Sequence, residues 1–213
     1  MTAQVYERLR SDIICGLLPP GSRLKISELR ARLDTGTSPI REALSLLTSD
    51  RLVERIDQRG FRVAVASEAA FQELLTTRAW LEERALRESI ANGGPDWEET
   101  IVLSHYRLSR IPRHGGEDAT NGPNAWEDCH RTFHFALLSA CGSSIMLRFC
   151  TELYDQNIRY RHLAGRQAYP RRNIQREHQD IMQAALDRDA DAAVEALLSH
   201  YRRTGSFLSP KID

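Results

Sequence analysis

No stretch of this 213-residue sequence approaches the run of about 20 apolar residues that a membrane-spanning helix needs. Cysteine is scarce. Cys15, Cys129, Cys141 and Cys150 form no CxxC pair and no dense framework, so a disulfide-stapled fold is excluded. The expected setting is a reducing cytoplasm, with the thiols serving as small buried hydrophobes. The N-terminal MTAQVYERLRSDI is charged and amphipathic, which is not the pattern of a secretory signal. There is no internal repeat and no low-complexity tail. Charge of one sign is not in excess either, with 29 Lys and Arg against 29 Asp and Glu.

What is present is ordinary for a globular protein: 41% hydrophobic and 27% charged residues. The charge is unevenly spread. Residues 1–66 hold 11 basic against 8 acidic residues, and the remainder 18 against 21. A basic head on a more acidic body is the direction expected of a DNA-contacting protein.

The first 66 residues read as three helices and a hairpin. Val5, Leu9, Ile13 and Ile14 share one helical face, and Pro19, Pro20 and Gly21 then break the chain. Ser27 is placed to cap a short second helix. Ser38, followed by Pro39, is placed to cap a third, whose apolar stripe is Ile40, Ala43, Leu44 and Leu47. Leu52–Ile56 and Phe61–Val65 read as strands around a polar turn from Asp57 to Gly60. This order is the winged helix-turn-helix plan, with the third helix lying in the major groove.

A recognition helix needs small or polar residues where its backbone nears DNA, and a cation to reach phosphate or guanine. Gly36, Thr37, Ser38 and Arg41 meet that need. Arg59 and Gly60 fall at the wing tip. Lys25, Arg30 and Arg32 are further phosphate candidates. Arg41 beside Glu42 also fits an ordinary solvated helix face, so the pattern alone does not decide.

The string LLPPGSRLKISELRARL…SPIREALSLLTSDRLVERIDQRGFRVA resembles the GntR family of bacterial transcription regulators across essentially all of residues 1–66. Thr37 stands where many members carry arginine, DTGT replaces the commoner turn, and Arg51 replaces the usual glycine after the recognition helix. These departures bear on the operator sequence.

From residue 67 onward the periodicity is helical, with helices expected near 68–92, 96–111, 124–140, 143–165, 171–187 and 189–207. The stretch 112–124 is the longest irregular piece and is expected to be a mobile loop. His130 and His134 sit four apart on one helix face, and His178 and His200 lie near the apolar stripes of two others. Four such imidazoles can surround a divalent cation, or can be hydrogen-bonded core residues; spacing leaves both open. Arg131 stands where an HExxH protease would need its glutamate.

TRAWLEERAL, HRTFHFALLSACGS, REHQDIMQAALDRDADAAV and SHYRRT resemble the all-helical FCD ligand-binding domain of the FadR branch of that family. The resemblance implies a metal held by His134, His178 and His200, with His130 in place of the usual Asp and Asp128 as a weaker alternative. An all-imidazole set favours zinc or nickel. The resemblance also implies an effector-contacting arginine at Arg78, although Arg78 has Glu82 at ion-pairing distance along the helix. Arg148, Tyr154 and Arg159 follow as effector candidates. HRTFHFALLSACGSSIMLRFCTELYDQNIRYRHL is similar to a subgroup governing carbon-starvation and glutarate-type catabolism, which points to a carboxylate, and specifically a dicarboxylate, as effector.

The expected architecture is therefore mainly α: a winged helix-turn-helix over residues 1–66 and an all-helical antiparallel bundle over 67–213. The expected function is a homodimeric repressor on a palindromic double-stranded DNA operator, controlled by a small carboxylate near a metal. A metal sensor without organic effector is the competing reading. A helical metalloenzyme is a third, but no Glu or Asp at a convincing spacing offers it a general base, and the DNA head would go unexplained.

Overall fold

The computed structural model describes residues 1–57, 59–112, 125–164 and 172–208. The expected loop at 112–124 lies, but for its first residue, outside the described residues. The chain divides into two compact units. One takes in Met1–Leu74 and residues 152–164, the other Leu75–Thr151 and residues 172–207.

In the first unit α1 (Thr2–Ile14), α2 (Ile26–Leu33) and α3 (Thr37–Ser49) enclose a core built from Leu9, Ile13, Leu29, Ile40, Leu44 and Leu47. The α3 stripe expected from the sequence is completely buried. Two starts differ from expectation. Lys25 rather than Ser27 occupies the N-cap of α2, and Gly36 rather than Ser38 that of α3. Pro39 still fits, because the first turn's amides have no intrahelical acceptor to lose. The sheet has three antiparallel strands in the order β1-β3-β2, where β1 is Arg23–Leu24, β2 Val53–Ile56 and β3 Gly60–Val63. A two-residue strand carries no periodicity, so β1 is invisible in the sequence. It pairs Arg23 with Arg62 and Leu24 with Phe61, anchoring the wing to the chain before α2.

This unit takes in more chain than residues 1–66. Phe71 packs on Tyr160 with ring centroids 4.8 Å apart, and Arg10 pairs with Asp155 at 2.6 Å. Asp12 is buried against Arg32 at 2.6 Å. The Arg32 guanidinium, a phosphate candidate from the sequence, also balances an interior carboxylate while its side chain stays 38% exposed.

The second unit is built from α4 (Glu68–Asn92, from Leu75), α5 (Pro95–Ser109), α6 (Ala125–Leu138), the start of α7 (Ser144–Ala164), α8 (Ile174–Leu186) and α9 (Ala190–Leu208). Leu86, Ile101, Phe133, Leu137, Ile181 and Leu197 form its core. Pro95 sits at the first position of α5 after a Gly94 N-cap, where its missing N–H costs nothing. No helix of the described residues is long and apolar enough to cross a membrane.

Arg51 explains why its position is usually glycine. It follows α3 with φ +60°, in the left-handed region. A side chain there costs about 1 kcal/mol relative to glycine. Arg51→Gly is expected to stabilise the head by about 0.5–1 kcal/mol, seen as a higher urea midpoint with unchanged slope.

Candidate functional site

The surface of α3 suits a duplex. Ser38, Arg41 and Glu42 are exposed, and Arg41 has no ion-pair or hydrogen-bond partner among the described residues. Gly36 is exposed and Thr37 half-buried at the helix start. At the hairpin Gly60 has φ +91° and nothing near an added Cβ, and Arg59 is exposed, its carbonyl accepting a hydrogen bond from Arg23 at 3.1 Å. Lys25 is exposed, paired with Glu28 at 2.7 Å, an ion pair weak enough in solvent to be exchanged for phosphate.

In the second unit α6, α8 and α9 bring His130, His134, His178 and His200 together, each at most 4% exposed. One ligand nitrogen from each lies within 4.8 Å of the other three. Neighbouring polar groups sit against the outer nitrogens of the rings. Nδ1 of His200 lies 2.8 Å from the Glu177 carboxylate and 3.2 Å from the Arg172 guanidinium, which turns Nε2 toward the cluster. The Tyr201 hydroxyl donates to Glu82, so its oxygen is the acceptor for Nδ1–H of His134 at 3.4 Å. Nε2 of His134 lies 3.1 Å from Nε2 of His130, whose Nδ1 faces Glu127 at 3.7 Å. Nε2 of His178 is buried without a hydrogen-bond partner among the described residues.

The buried Nε2 of His178, with no hydrogen-bond partner among the described residues, costs about 1–3 kcal/mol unless something engages it. A divalent cation does so. Zn–N bonds of about 2.0–2.1 Å place tetrahedral nitrogens about 3.3 Å apart, close to the His130–His134 separation. The donor set is chemically right too. Burial, and then the neighbouring His130, His200 and Arg78, hold His134 well below the ordinary imidazole pKa. Burial and His200 do the same to His178. Both rings are neutral at pH 7, as metal ligands must be.

A second layer fixes these rings. Burial opposes the charge on Glu177, but hydrogen bonds from Arg172 and His200 outweigh it and hold the carboxyl far below its usual range. Arg172 also donates to the His200 carbonyl at 2.8 Å and to Thr204 at 2.9 Å. Arg78 pairs with Glu82 at 2.5 Å, donates to Tyr201 at 3.0 Å and lies over that ring. Sequence reading missed Glu177, Arg172 and Tyr201. The Glu177–His178 and His200–Tyr201 adjacencies were visible, but the Arg172–Glu177 spacing is not helical and gave no signal.

Of the effector candidates, Arg78 joins the chain that reaches His134 through Tyr201. The others are placed differently. Arg148 is exposed, over the Phe149 ring. Tyr154 and Arg159 belong to the unit that contains the head. Tyr154 is buried beneath the Arg161 guanidinium, and Arg159 donates to the Ala64 carbonyl. The Arg159 Nε is buried without a hydrogen-bond partner among the described residues. Asp128 is not part of the cluster.

Glu177→Gln keeps the shape but removes the charge behind His200. It is expected to weaken zinc binding about 10–100-fold, read by competition with a chromophoric chelator. His134→Ala is expected to abolish stoichiometric metal by elemental analysis. Wild-type metal content in that variant would exclude the site.

Comparison with known proteins agrees with this division of labour. Residues 1–63 match the bacterial regulatory proteins of the gntR family, and residues 73–203 match the FCD domain. The chain is 42% identical over 195 residues to the uncharacterized HTH-type transcriptional regulator BphR of Paraburkholderia xenovorans, covering 92% of this chain and 80% of that one. It is 32% identical over 199 residues to the HTH-type transcriptional repressor GlaR of Escherichia coli, covering 92% and 90%. The fold is similar to that of E. coli McbR/YncC, with a TM-score of 0.78 at 20% identity, covering 100% and 98% of the two chains. With a winged helix-turn-helix head and an FCD domain around a histidine cluster, the chain belongs to the GntR family of transcription regulators.

Proposed function

We propose that the protein is a homodimeric repressor whose hold on a palindromic operator is set by a small carboxylate bound beside a divalent metal, zinc or nickel. Residues 1–66 act as the DNA head and residues 67–213 as the sensor. The observation that supports this best is the convergence of four buried imidazoles, each offering a ring nitrogen within 4.8 Å of the others, with Nε2 of His178 lacking a hydrogen-bond partner among the described residues. When bound, the metal supplies a Lewis-acid anchor for an anionic oxygen. Four neutral donors leave its charge uncancelled, so the site favours an anion. Arg78, already turned toward the cluster through Tyr201, is the residue best placed to support that charge.

On DNA, Ser38 and Arg41 face base edges and phosphates, Gly36 and Thr37 allow close backbone approach, and Lys25, Arg59 and Gly60 flank the groove. Effector and operator affinities are linked: whatever factor one weakens, the other weakens equally.

A second reading has its own support. Four protein ligands complete a tetrahedral shell, the arrangement of closed sites, in which metal occupancy is itself the signal. Zinc titration of metal-free protein on operator DNA, without and with glutarate, separates the two. Release by zinc alone supports the sensor of metal, whereas release that requires the acid supports the carboxylate repressor.

Arg41→Ala is expected to weaken binding to a DNA sequence selected by the wild-type protein at least tenfold, measured by fluorescence anisotropy, with metal content unchanged. An unchanged affinity would remove α3 from the DNA interface.

A further inference from the structure

Trp97, Ile101, Ser104 and Leu108 turn the inner face of α5 into the bundle. The outer face has no such employment. There Val102, Leu103 and Tyr106 are 46%, 49% and 61% exposed. No other element of the described residues leaves three large apolar side chains in solvent. The three lie within two turns and line a shallow depression that Pro95 and Leu186 extend. An apolar side chain standing alone on a surface needs no explanation, whereas a patch gathered on one helix face marks where another molecule sits.

Charge is sorted about this patch. Asp96 and Glu99 precede it and Arg107 and Arg110 follow it, and all four are exposed with no ion pair among the described residues. Glu98, by contrast, is taken by Arg188. Residues 96, 99, 103, 106 and 110 recur at the three- and four-residue spacing that lines one side of a helix. The helix dipole favours acid at the start of α5 and base at its end, but it acts within the outermost turns. It accounts neither for Glu99, past the first turn, nor for the apolar residues between the charges. A stripe that runs acidic, apolar, basic is complementary to itself reversed. The pairs Asp96 with Arg110 and Glu99 with Arg107 are both centred on Leu103. At a rise of about 1.5 Å per residue the second pair spans about 12 Å, so a two-fold axis at Leu103 sets Glu99 of one copy opposite Arg107 of the other. Two parallel α5 helices would face acid with acid and base with base.

We infer that the outer face of α5 receives the same face of a second copy of this chain, antiparallel about a two-fold axis at Leu103. Val102, Leu103 and Tyr106 form the apolar centre of the contact, and the Glu99–Arg107 and Asp96–Arg110 pairs, each made twice, form its rim. The inference rests on the homodimer reading above and names the surface that reading requires. The apolar centre supplies affinity, because these side chains leave water on contact. Tyr106 suits such a place, with an aromatic face to bury and a hydroxyl for the wetter edge. The charges set orientation and register, since sliding or reversing one helix opposes like signs. Two-fold symmetry repeats every contact, so a single substitution on the stripe acts at two points of the interface.

The test is sedimentation equilibrium of the full-length protein. Wild type is expected to be dimeric. Glu99→Arg alone and Arg107→Glu alone each set two like-charge pairs at the rim, and each is expected to raise the dimer dissociation constant about 10–100-fold. An equimolar mixture of the two variants restores both opposite-charge pairs, and is expected to form a heterodimer with close to wild-type affinity. Leu103→Cys leaves the charges unaltered and keeps the question open should a reversal disturb the bundle. It is expected to give a disulfide-linked dimer on mild oxidation, which wild type with its native cysteines does not, because a residue on the axis meets its own copy within the reach of about 7 Å that a disulfide allows. Unchanged dimerisation in both reversals, a mixture no tighter than the separate variants, or a Leu103→Cys protein that does not cross-link would overturn the assignment. A dimer that persists through all of these leaves the homodimeric repressor standing on another surface. A monomeric wild type at concentrations that saturate its operator would remove both readings together.

Discussion

Four imidazoles meet inside a helical bundle, and the rest of the sensor is arranged around what that meeting requires. Each ring is buried, and each offers a nitrogen within 4.8 Å of the others. The same helix face of α6 that seats Phe133 and Leu137 in the core also points His130 and His134 at the cluster. Packing and ligand geometry are therefore one constraint. A change in how α6 sits on its neighbours alters the distance between Nε2 atoms, and in the proposed role a bound cation would in turn hold α6, α8 and α9 at fixed separations.

The electrostatics are layered. The inner layer has no negative ligand, because a histidine, His130, stands where the family resemblance implies an aspartate. The compensating carboxylates have moved outward, to Glu177 behind His200, Glu127 near His130 and Glu82 beyond Tyr201. Two of them are themselves neutralised, by Arg172 and Arg78. A cation in this setting keeps more of its charge than one bound by a carboxylate, and the appetite for an anionic ligand rises accordingly.

Much of this was legible in the sequence, and the parts that were not share a cause. Helical periodicity located α4 to α9 to within a few residues, since an apolar stripe repeats often enough to be read. The i,i+4 pair His130 and His134 was legible for the same reason, and the resemblance to the FCD domain brought in His178 and His200. Features made by residues distant in sequence were hidden. β1 exists only because Arg23 and Leu24 meet β3. Arg32 looked like a free cation until Asp12 was found beneath it. The bond from Arg159 to the Ala64 carbonyl spans 95 residues and left no local signal.

The stack of Trp126 on His130 has a practical side. The chain has three tryptophans: Trp80 is largely in solvent, Trp97 is enclosed in the bundle core, and Trp126 alone lies flat on an imidazole of the cluster. Indole emission is sensitive to whatever charge sits on a stacked ring. The protein thus carries an intrinsic optical gauge of its own interior, readable in dilute solution without a dye or a label.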